Sequence, residues 1–276
     1  MRSVLITGSS TGIGRAAANR LATHGWRVLA GVRSDADAAA LAGEPGEVIP
    51  VRLDVADEES IAVAAATVAE RCDGKLEGLV SSAGVAVPGP LETVPLAELR
   101  RVLEVNVVGQ IAVVQAMAPM LRRGRGRILL VGSIGGRIAF PYAGPYHASK
   151  FALEGIADTL RAELRPQGVG VALLEPGPIS TPIWEKARAE VRELRAGLSG
   201  EARELYAEPL ERFEDKLRSA DRGGDEVEKV AAKVAEALQG SGARYPVGRG
   251  VRTLITLRSL LPDAVFDRIA GRVSAG

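Results

Sequence analysis

Val4-Leu5-Ile6-Thr7-Gly8-Ser9-Ser10-Thr11-Gly12-Ile13-Gly14 decides the fold. Its opening residues read as a strand buried on both faces, and the residues from Gly12 onward carry helical periodicity. The turn between them spaces its glycines as Gly-x-x-x-Gly-x-Gly. A helix N-terminus offers unpaired N–H groups and a partial positive charge, but an anion can rest on it only where the backbone comes close. Gly8 permits the sharp turn, Gly12 removes the Cβ that would block approach, and Gly14 lets the helix pack on the strand. With Ser10, Thr11 and Ile13 they form a cradle suited to a pyrophosphate. The spacing is one residue longer than the common Gly-x-Gly-x-x-Gly form. It also lacks the Gly-Lys-Ser/Thr ending of a nucleoside-triphosphatase loop, which argues against ATP.

Outward from this turn, short β-branched runs alternate with helical stretches. Strands are expected at Val4–Thr7, Arg27–Val32, Val48–Leu53, Gly78–Ser81, Arg127–Val131, Gly168–Leu174 and Arg244–Val247. Helices are expected near 12–24, 35–42, 58–71, 96–122, 143–165 and 225–239. Ile128–Val131 and Val169–Leu174 are apolar on both faces, the pattern of a parallel sheet covered by helices on each side. The expected architecture is therefore α/β: a Rossmann-type doubly wound parallel sheet, single domain, over residues 1–276. Gly25 suits a left-handed helix terminus. Residues 178–224 are too long for an ordinary connection and follow a strand's carboxyl end, where open α/β sheets bind ligands; they are read as a substrate lid. The tail at 251–276 is amphipathic, with Leu254, Ile255, Leu257, Leu260 and Leu261, and is expected to pack on the core before another subunit or a membrane surface.

Composition narrows the function classes. A formal net charge of +1 and 4% aromatic residues give no field or stacking surface for nucleic acid. No uninterrupted apolar run approaches the roughly 20 residues of a membrane span. Cys72 is the only cysteine, so no internal disulfide forms, which fits a cytoplasmic location. With Val4–Thr7 already reading as a strand, no signal peptide is expected before the fold. Two histidines and one cysteine supply no metal-ligand spacing, so no metal is expected.

The remaining motifs suggest redox chemistry on a dinucleotide. No acid stands at Gly31 or Val32, where one would bind the ribose of NAD(H); Arg33 follows instead, and its guanidinium suits a 2′-phosphate. NADP(H) is thus the preferred cofactor, with NAD(H) possible. Asp54, beside Val55, either meets the adenine edge or caps the helix at Glu58. Tyr146 and Lys150 lie four residues apart in Tyr-His-Ala-Ser-Lys, one helical turn on one face. A free phenol is about 0.1% ionised at neutral pH. An ammonium nearby favours the phenolate and makes the tyrosine a usable acid or base. Ser133 follows an apolar strand and can hydrogen-bond a substrate oxygen. Asn106, inside a helical stretch, either holds a water that relays protons to Lys150 or marks a kink with Gly109.

Together the turn at 7–14, Asn106, Ser133 and Tyr146-x-x-x-Lys150 resemble the short-chain dehydrogenase/reductase superfamily, and the resemblance runs from Val4 to about Thr181. It implies a catalytic tetrad of Asn106, Ser133, Tyr146 and Lys150. It implies a cofactor site that adds Asp54, Val55, Ala83, Gly84, Pro176 and Gly177, with Ile179 and Thr181 on the nicotinamide carboxamide. It implies a homodimer or homotetramer. The sequence departs from the family's Asn-Asn-Ala-Gly at Ser81-Ser82-Ala83-Gly84, where Ser82 is left to bond across the sheet. The expected reaction is hydride transfer between nicotinamide and a carbonyl or secondary alcohol.

Substrate walls are expected from Gly135, Ile138, Ile183 and Trp184, from Val85 to Pro90, and from Leu205, Tyr206 and Phe213. Such walls suit a medium or bulky apolar small molecule of steroid, retinoid, polyketide or fatty-acyl type. Arg122, Arg123, Arg125 and Arg127 form a basic turn that offers an alternative, a 3-oxoacyl group on an acidic carrier protein; a non-catalytic nicotinamide sensor is a third reading. His147 points about 100° away from Tyr146 around the helix and is set outside the proton path. His24 is read as a helix C-terminal dipole partner and Cys72 as a bland thiol.

Overall fold

The apolar runs become the strands β1 (Arg2–Thr7), β2 (Trp26–Val32), β3 (Glu47–Arg52), β4 (Gly78–Ser81), β5 (Arg127–Val131), β6 (Gly170–Pro176) and β7 (Arg244–Val247). This computed structural model describes residues 1–266 and 268. All strands pair in parallel in the order β3-β2-β1-β4-β5-β6-β7. The order reverses between β1 and β4, which opens a crevice at their carboxyl ends.

The helices are α1 (Gly12–Thr23), α2 (Asp35–Ala40), α3 (Glu58–Arg71), α4 (Leu96–Leu103), α5 (Gly109–Gly124), α6 (Gly144–Leu164), α7 (Ile183–Gly197), α8 (Gly200–Gly223), α9 (Val227–Gln239) and α10 (Val251–Leu260). Helices α3, α5 and α6 cover one face of the sheet, burying Ile61, Val113, Met117 and Leu153 against Leu5, Leu29, Leu79 and Ile128. Helices α1 and α9 cover the other, with Ala17, Leu21, Val230 and Val234 against Val4, Ile6, Val28 and Leu129. Each such leucine or isoleucine contributes about 1.5–3 kcal/mol relative to exposure, so the sheet is the rigid frame of the site. Gly25 takes φ +79° after α1, as expected.

Helices α4 and α5 are continuous through a π turn at Glu104–Val108. The combined Leu96–Gly124 helix is long and apolar enough to cross a membrane by length and composition alone. The sequence reading passed over it because Glu104, Asn106 and Gln110 interrupt the apolar run. Its Val102, Asn106, Gln110, Val113 and Met117 are fully buried, the placement of a core helix.

Helices α7 and α8 form the 178–224 insertion as an antiparallel pair with its own apolar cluster of Val191, Leu198, Leu210 and Leu217. Its two ends are tied together: Ser180 N–H donates to Asp225 O, and Asp225 N–H to Pro178 O. Among the described residues of the tail Val251 is buried, Ile255 and Leu261 are half-buried, and Leu254, Leu257 and Leu260 are 46%, 46% and 74% exposed. Residues 267 and 269–276 of the predicted tail lie outside the described residues.

Candidate active site

A cleft of about 620 Å³ runs along the carboxyl edge of the sheet. One end is walled by the glycine turn: Gly8, Ser10, Thr11, Gly12, Ile13 and Gly14. Here the glycines are required. Gly8 has φ +68° and Gly12 φ +56°, and a Cβ on Gly14 would lie 2.2 Å from Gly8 O. Thr11 begins α1 without a side-chain cap, and no acid stands in the first turn. The N–H groups of α1 are left available to an anion, so the residues present fit a dinucleotide pyrophosphate. Arg33 lies on the cleft wall with Asp54 and Val55. Asp54 does not cap α3. Asp57 does, accepting from Glu59 and Ser60 N–H, while Asp54 Oδ1 accepts from Ala56 N–H.

The loop after β4 is held differently from the sequence reading. Thr7 Oγ1 accepts the main-chain N–H groups of Ser82 and Ala83, each at 3.0 Å. The cross-sheet contact expected of the Ser82 side chain is thus made by Thr7 to backbone. Ser81 Oγ is buried without a partner, being too short to reach across. Gln110, which the sequence reading missed, adds a bond from Nε2 to Ala83 O at 3.2 Å; its place one turn beyond Asn106 was the available signal.

Asn106 sits in the π turn and is fully buried. Its Oδ1 accepts from Val85 N–H and its Nδ2 donates to Val85 O, both at 2.8 Å, and to Ser149 Oγ at 3.0 Å. Both earlier readings are modified. The helix is irregular there, and the side chain, bonded to α6 and the β4 loop, stands one layer behind the cleft wall.

Tyr146, Lys150 and Ser133 all line the cleft. Lys150 is 5% exposed, with Nζ donating to Val131 O at 2.8 Å and lying 5.6 Å from the Tyr146 ring centre. Ser133 Oγ accepts from Gly135 N–H at 3.0 Å and caps the tight turn at Ile134–Gly136. Burial brings the Lys150 ammonium down to about 8. Burial also raises the Tyr146 phenol above its ordinary value, against a lowering contact from Ser133. Neither group has an opposite charge beside it, so desolvation wins for both.

His147 is more than a bystander. It is 7% exposed and lines the cleft. Its Nδ1 donates to Gly135 O at 2.8 Å and its Nε2 accepts from Phe140 N–H at 3.1 Å, fixing the neutral tautomer and the loop after Ser133. Burial lowers its pKa.

Pro176, Gly177, Ile179 and Thr181 follow β6 along the floor. A Cβ on Gly12 would meet Thr181 Cγ2 at 3.6 Å, so the two ends of the floor converge. Trp184 Nε1 donates to Ile179 O at 2.6 Å and seats the start of α7. Gly135, Ile183, Trp184, Val85 to Pro88 and Phe213 line the cleft as expected. Ile138 does not: at 1% exposure it is packed beneath the loop. Leu205, 53% exposed, faces outward, and Tyr206 bonds Glu92 outside the cleft. The charge-rich helical pattern of the insertion does not mark which face turns inward.

A family model described as short chain dehydrogenase matches residues 2–192. The chain belongs to the short-chain dehydrogenase family. It is an NAD(P)-dependent oxidoreductase of that class, acting on hydroxyl and carbonyl groups. It is 35% identical over 238 residues to 3-amino-tetrahydro-pyrrolizinone reductase of Xenorhabdus hominickii, covering 86% of this chain and 81% of the relative. Human 17-beta-hydroxysteroid dehydrogenase type 1 is 38% identical, with 82% and 72% covered. Human retinol dehydrogenase 16 is 33% identical, with 98% and 88% covered. Among solved structures, a short chain dehydrogenase/reductase from Burkholderia phymatum in complex with NAD superimposes with TM-score 0.80 at 26% identity, covering 94% and 93%. One from Burkholderia cenocepacia J2315 in complex with NADP gives 0.75 at 25%, covering 97% and 98%.

Proposed function

We propose that this chain reduces, and in reverse forms, a secondary alcohol on a medium or bulky apolar small molecule, with NADP(H) preferred over NAD(H). The observation that carries the reading is the convergence of Tyr146, Lys150 and Ser133 on a cleft that also contains the glycine turn.

A nicotinamide cofactor, when held here, would supply or accept the hydride. Gly8, Gly12 and Gly14 admit the pyrophosphate to the N-terminus of α1, and Ser10, Thr11 and Ile13 complete that cradle. Arg33, which has no ion pair among the described residues, would meet a 2′-phosphate; Asp54 and Val55 would border the adenosine, and Ala83, Gly84, Pro176, Gly177, Ile179 and Thr181 the nicotinamide side. Ser133 and Tyr146 donate hydrogen bonds to the substrate oxygen, and Tyr146 Oη gives that oxygen its proton in reduction. A phenol held neutral by burial is suited to that acid role. Lys150 spends one N–H on Val131 O. Its other two donors remain for the ribose hydroxyls and a proton-carrying water. Asn106 holds α6 in place through Ser149.

Val85, Val87, Tyr142, Trp184, Phe213 and Leu217 give the far half of the cleft an apolar wall. The steroid and retinol in the relatives' names support a substrate of that bulk. We read α7 and α8 as a lid on the single 1–276 domain. The basic turn lies at the amino edge of the sheet, opposite the cleft, with Arg123 donating to Gly74 O and Arg127 to Gly242 O. It lends nothing to the carrier-protein alternative. The intact Tyr146–Lys150 pair disfavours a non-catalytic sensor. A buried lone thiol at Cys72 fits a reducing cytoplasm. The exposed Val108 and Phe151 on neighbouring helices suit a homodimer or homotetramer.

Cofactor oxidation over a panel of ketones, run with NADPH and with NADH, tests the reading. Turnover of bulky apolar ketones, faster with NADPH, is expected. Activity confined to small polar ketones or to carrier-bound acyl groups would overturn it.

A further inference from the structure

Behind Ser133, outside the cleft, lies a buried charge cluster that the proposed chemistry does not use. Glu175 stands near the end of β6 and is 2% exposed. Glu154 lies one turn beyond Lys150 on α6, and Arg137 directly follows the 134–136 turn. Arg137 Nη1 is 3.2 Å from Glu154 Oε2 and 3.7 Å from Glu175 Oε1. From β7, Arg244 donates Nε to Glu154 Oε2 and Nη2 to Asp158 Oδ2, both at 2.9 Å, and Arg161 pairs Asp158 at 2.7 Å. The Oε1 atoms of Glu154 and Glu175 are both buried without a hydrogen-bond partner.

The turn itself has no slack. A Cβ on Gly135 would meet His147 Nδ1 at 3.0 Å and Tyr146 Cε1 at 3.2 Å, and one on Gly136 would meet Lys150 O at 2.6 Å. Movement of Arg137 is therefore passed to the turn that Ser133 caps.

We propose that Arg137, clasped by Glu154 and Glu175, is a positioning residue: it ties the Ser133 turn to α6 and β6 at once and so sets Ser133 against Tyr146. The inference rests on the reading of Ser133 and Tyr146 given above. Two buried carboxyls flanking one guanidinium nitrogen share a proton more readily than they both ionise. Burial and the neighbouring Glu154 accordingly hold the Glu175 carboxyl well above the usual carboxylate range. Ionisation of the second carboxyl as pH rises loads the clasp with a further buried charge and loosens it.

The test is a mutant cycle on the full chain with the ketone and cofactor found best above. Arg137→Ala is expected to lower kcat about tenfold while cofactor Kd stays within about twofold, as for a small misplacement remote from the reacting atoms. Arg137→Lys recovers most of the loss. In a Ser133→Ala background, Arg137→Ala costs less than about twofold, because its effect passes through the serine. Glu175→Gln, neutral at every pH, keeps wild-type kcat at low pH and removes the fall in kcat that the wild type shows as the shared proton is lost. Wild-type kcat in Arg137→Ala, or an equal loss in both backgrounds, overturns the clasp. If circular dichroism shows Arg137→Ala unfolded, the Glu175→Gln profile decides: one superimposable on wild type overturns it. Ser133→Ala at wild-type kcat would instead overturn the catalytic reading, so the two failures are distinguishable.

Discussion

The two halves of the cleft are built by different means. At the cofactor end most of the wall is strand carboxyl ends, the loops after them and the first turn of α1, and clearances are set by backbone: Gly14 against Gly8 O, Thr7 Oγ1 on the N–H groups of Ser82 and Ala83. At the substrate end the wall is the α7–α8 pair, which carries its own small cluster and joins the frame through Trp184, the Tyr142–Phe213 contact and the tie at Asp225. Backbone geometry tolerates little change; a side-chain wall can be recut. The first half is suited to a fixed ligand, the second to a variable one.

Substitution at Gly14 should separate the halves most sharply. Gly14→Ala forces a Cβ onto Gly8 O, and we expect destabilisation of about 3 kcal/mol with loss of cofactor binding, measured by urea unfolding and fluorescence titration. Arg33→Ala should weaken NADPH binding by roughly 1.5–3 kcal/mol, or about 10- to 150-fold, and leave NADH nearly unchanged, the contribution of a hydrogen bond to a charged group. Equal losses for both cofactors would remove Arg33 from the 2′-phosphate site. Trp184→Ala should raise KM for bulky ketones by about tenfold, with little change for small ones and none in cofactor Kd.

The smallest effect is one of pH. His147 is buried as the neutral tautomer, and burial lowers its pKa below the ordinary 6.5. The unfolded chain then binds the proton more readily than the folded one. The stability is complete above 6.5 and lost as pH falls below it toward the folded value. His147→Gln should flatten that acid limb relative to wild type in chemical denaturation; an identical limb would show that the Gly135–His147–Phe140 bonds do not hold the loop.

The same division governs what the sequence revealed. Strand and helix existence follow from local periodicity, and the turn at 7–14 from the special backbone that its glycines permit. Tyr146 and Lys150 were legible because a helix fixes the relation of i to i+4. Strand order was not legible, because parallel pairing joins residues far apart in the chain. The partners of Asn106 and His147 were hidden for the same reason: Val85, Ser149, Gly135 and Phe140 reach them through tertiary packing. Ile138, Leu205 and Tyr206 were misplaced because apolarity marks burial, not which side of a wall a residue faces.

The central claim is that Tyr146 Oη transfers the proton. The direct measurement is kcat of Tyr146→Phe at saturating cofactor, with cofactor Kd measured alongside. We predict a fall of about 10²–10⁴-fold, the range for a lost general acid, with Kd within about threefold of wild type. Turnover near the wild-type rate, with cofactor bound normally, would contradict it.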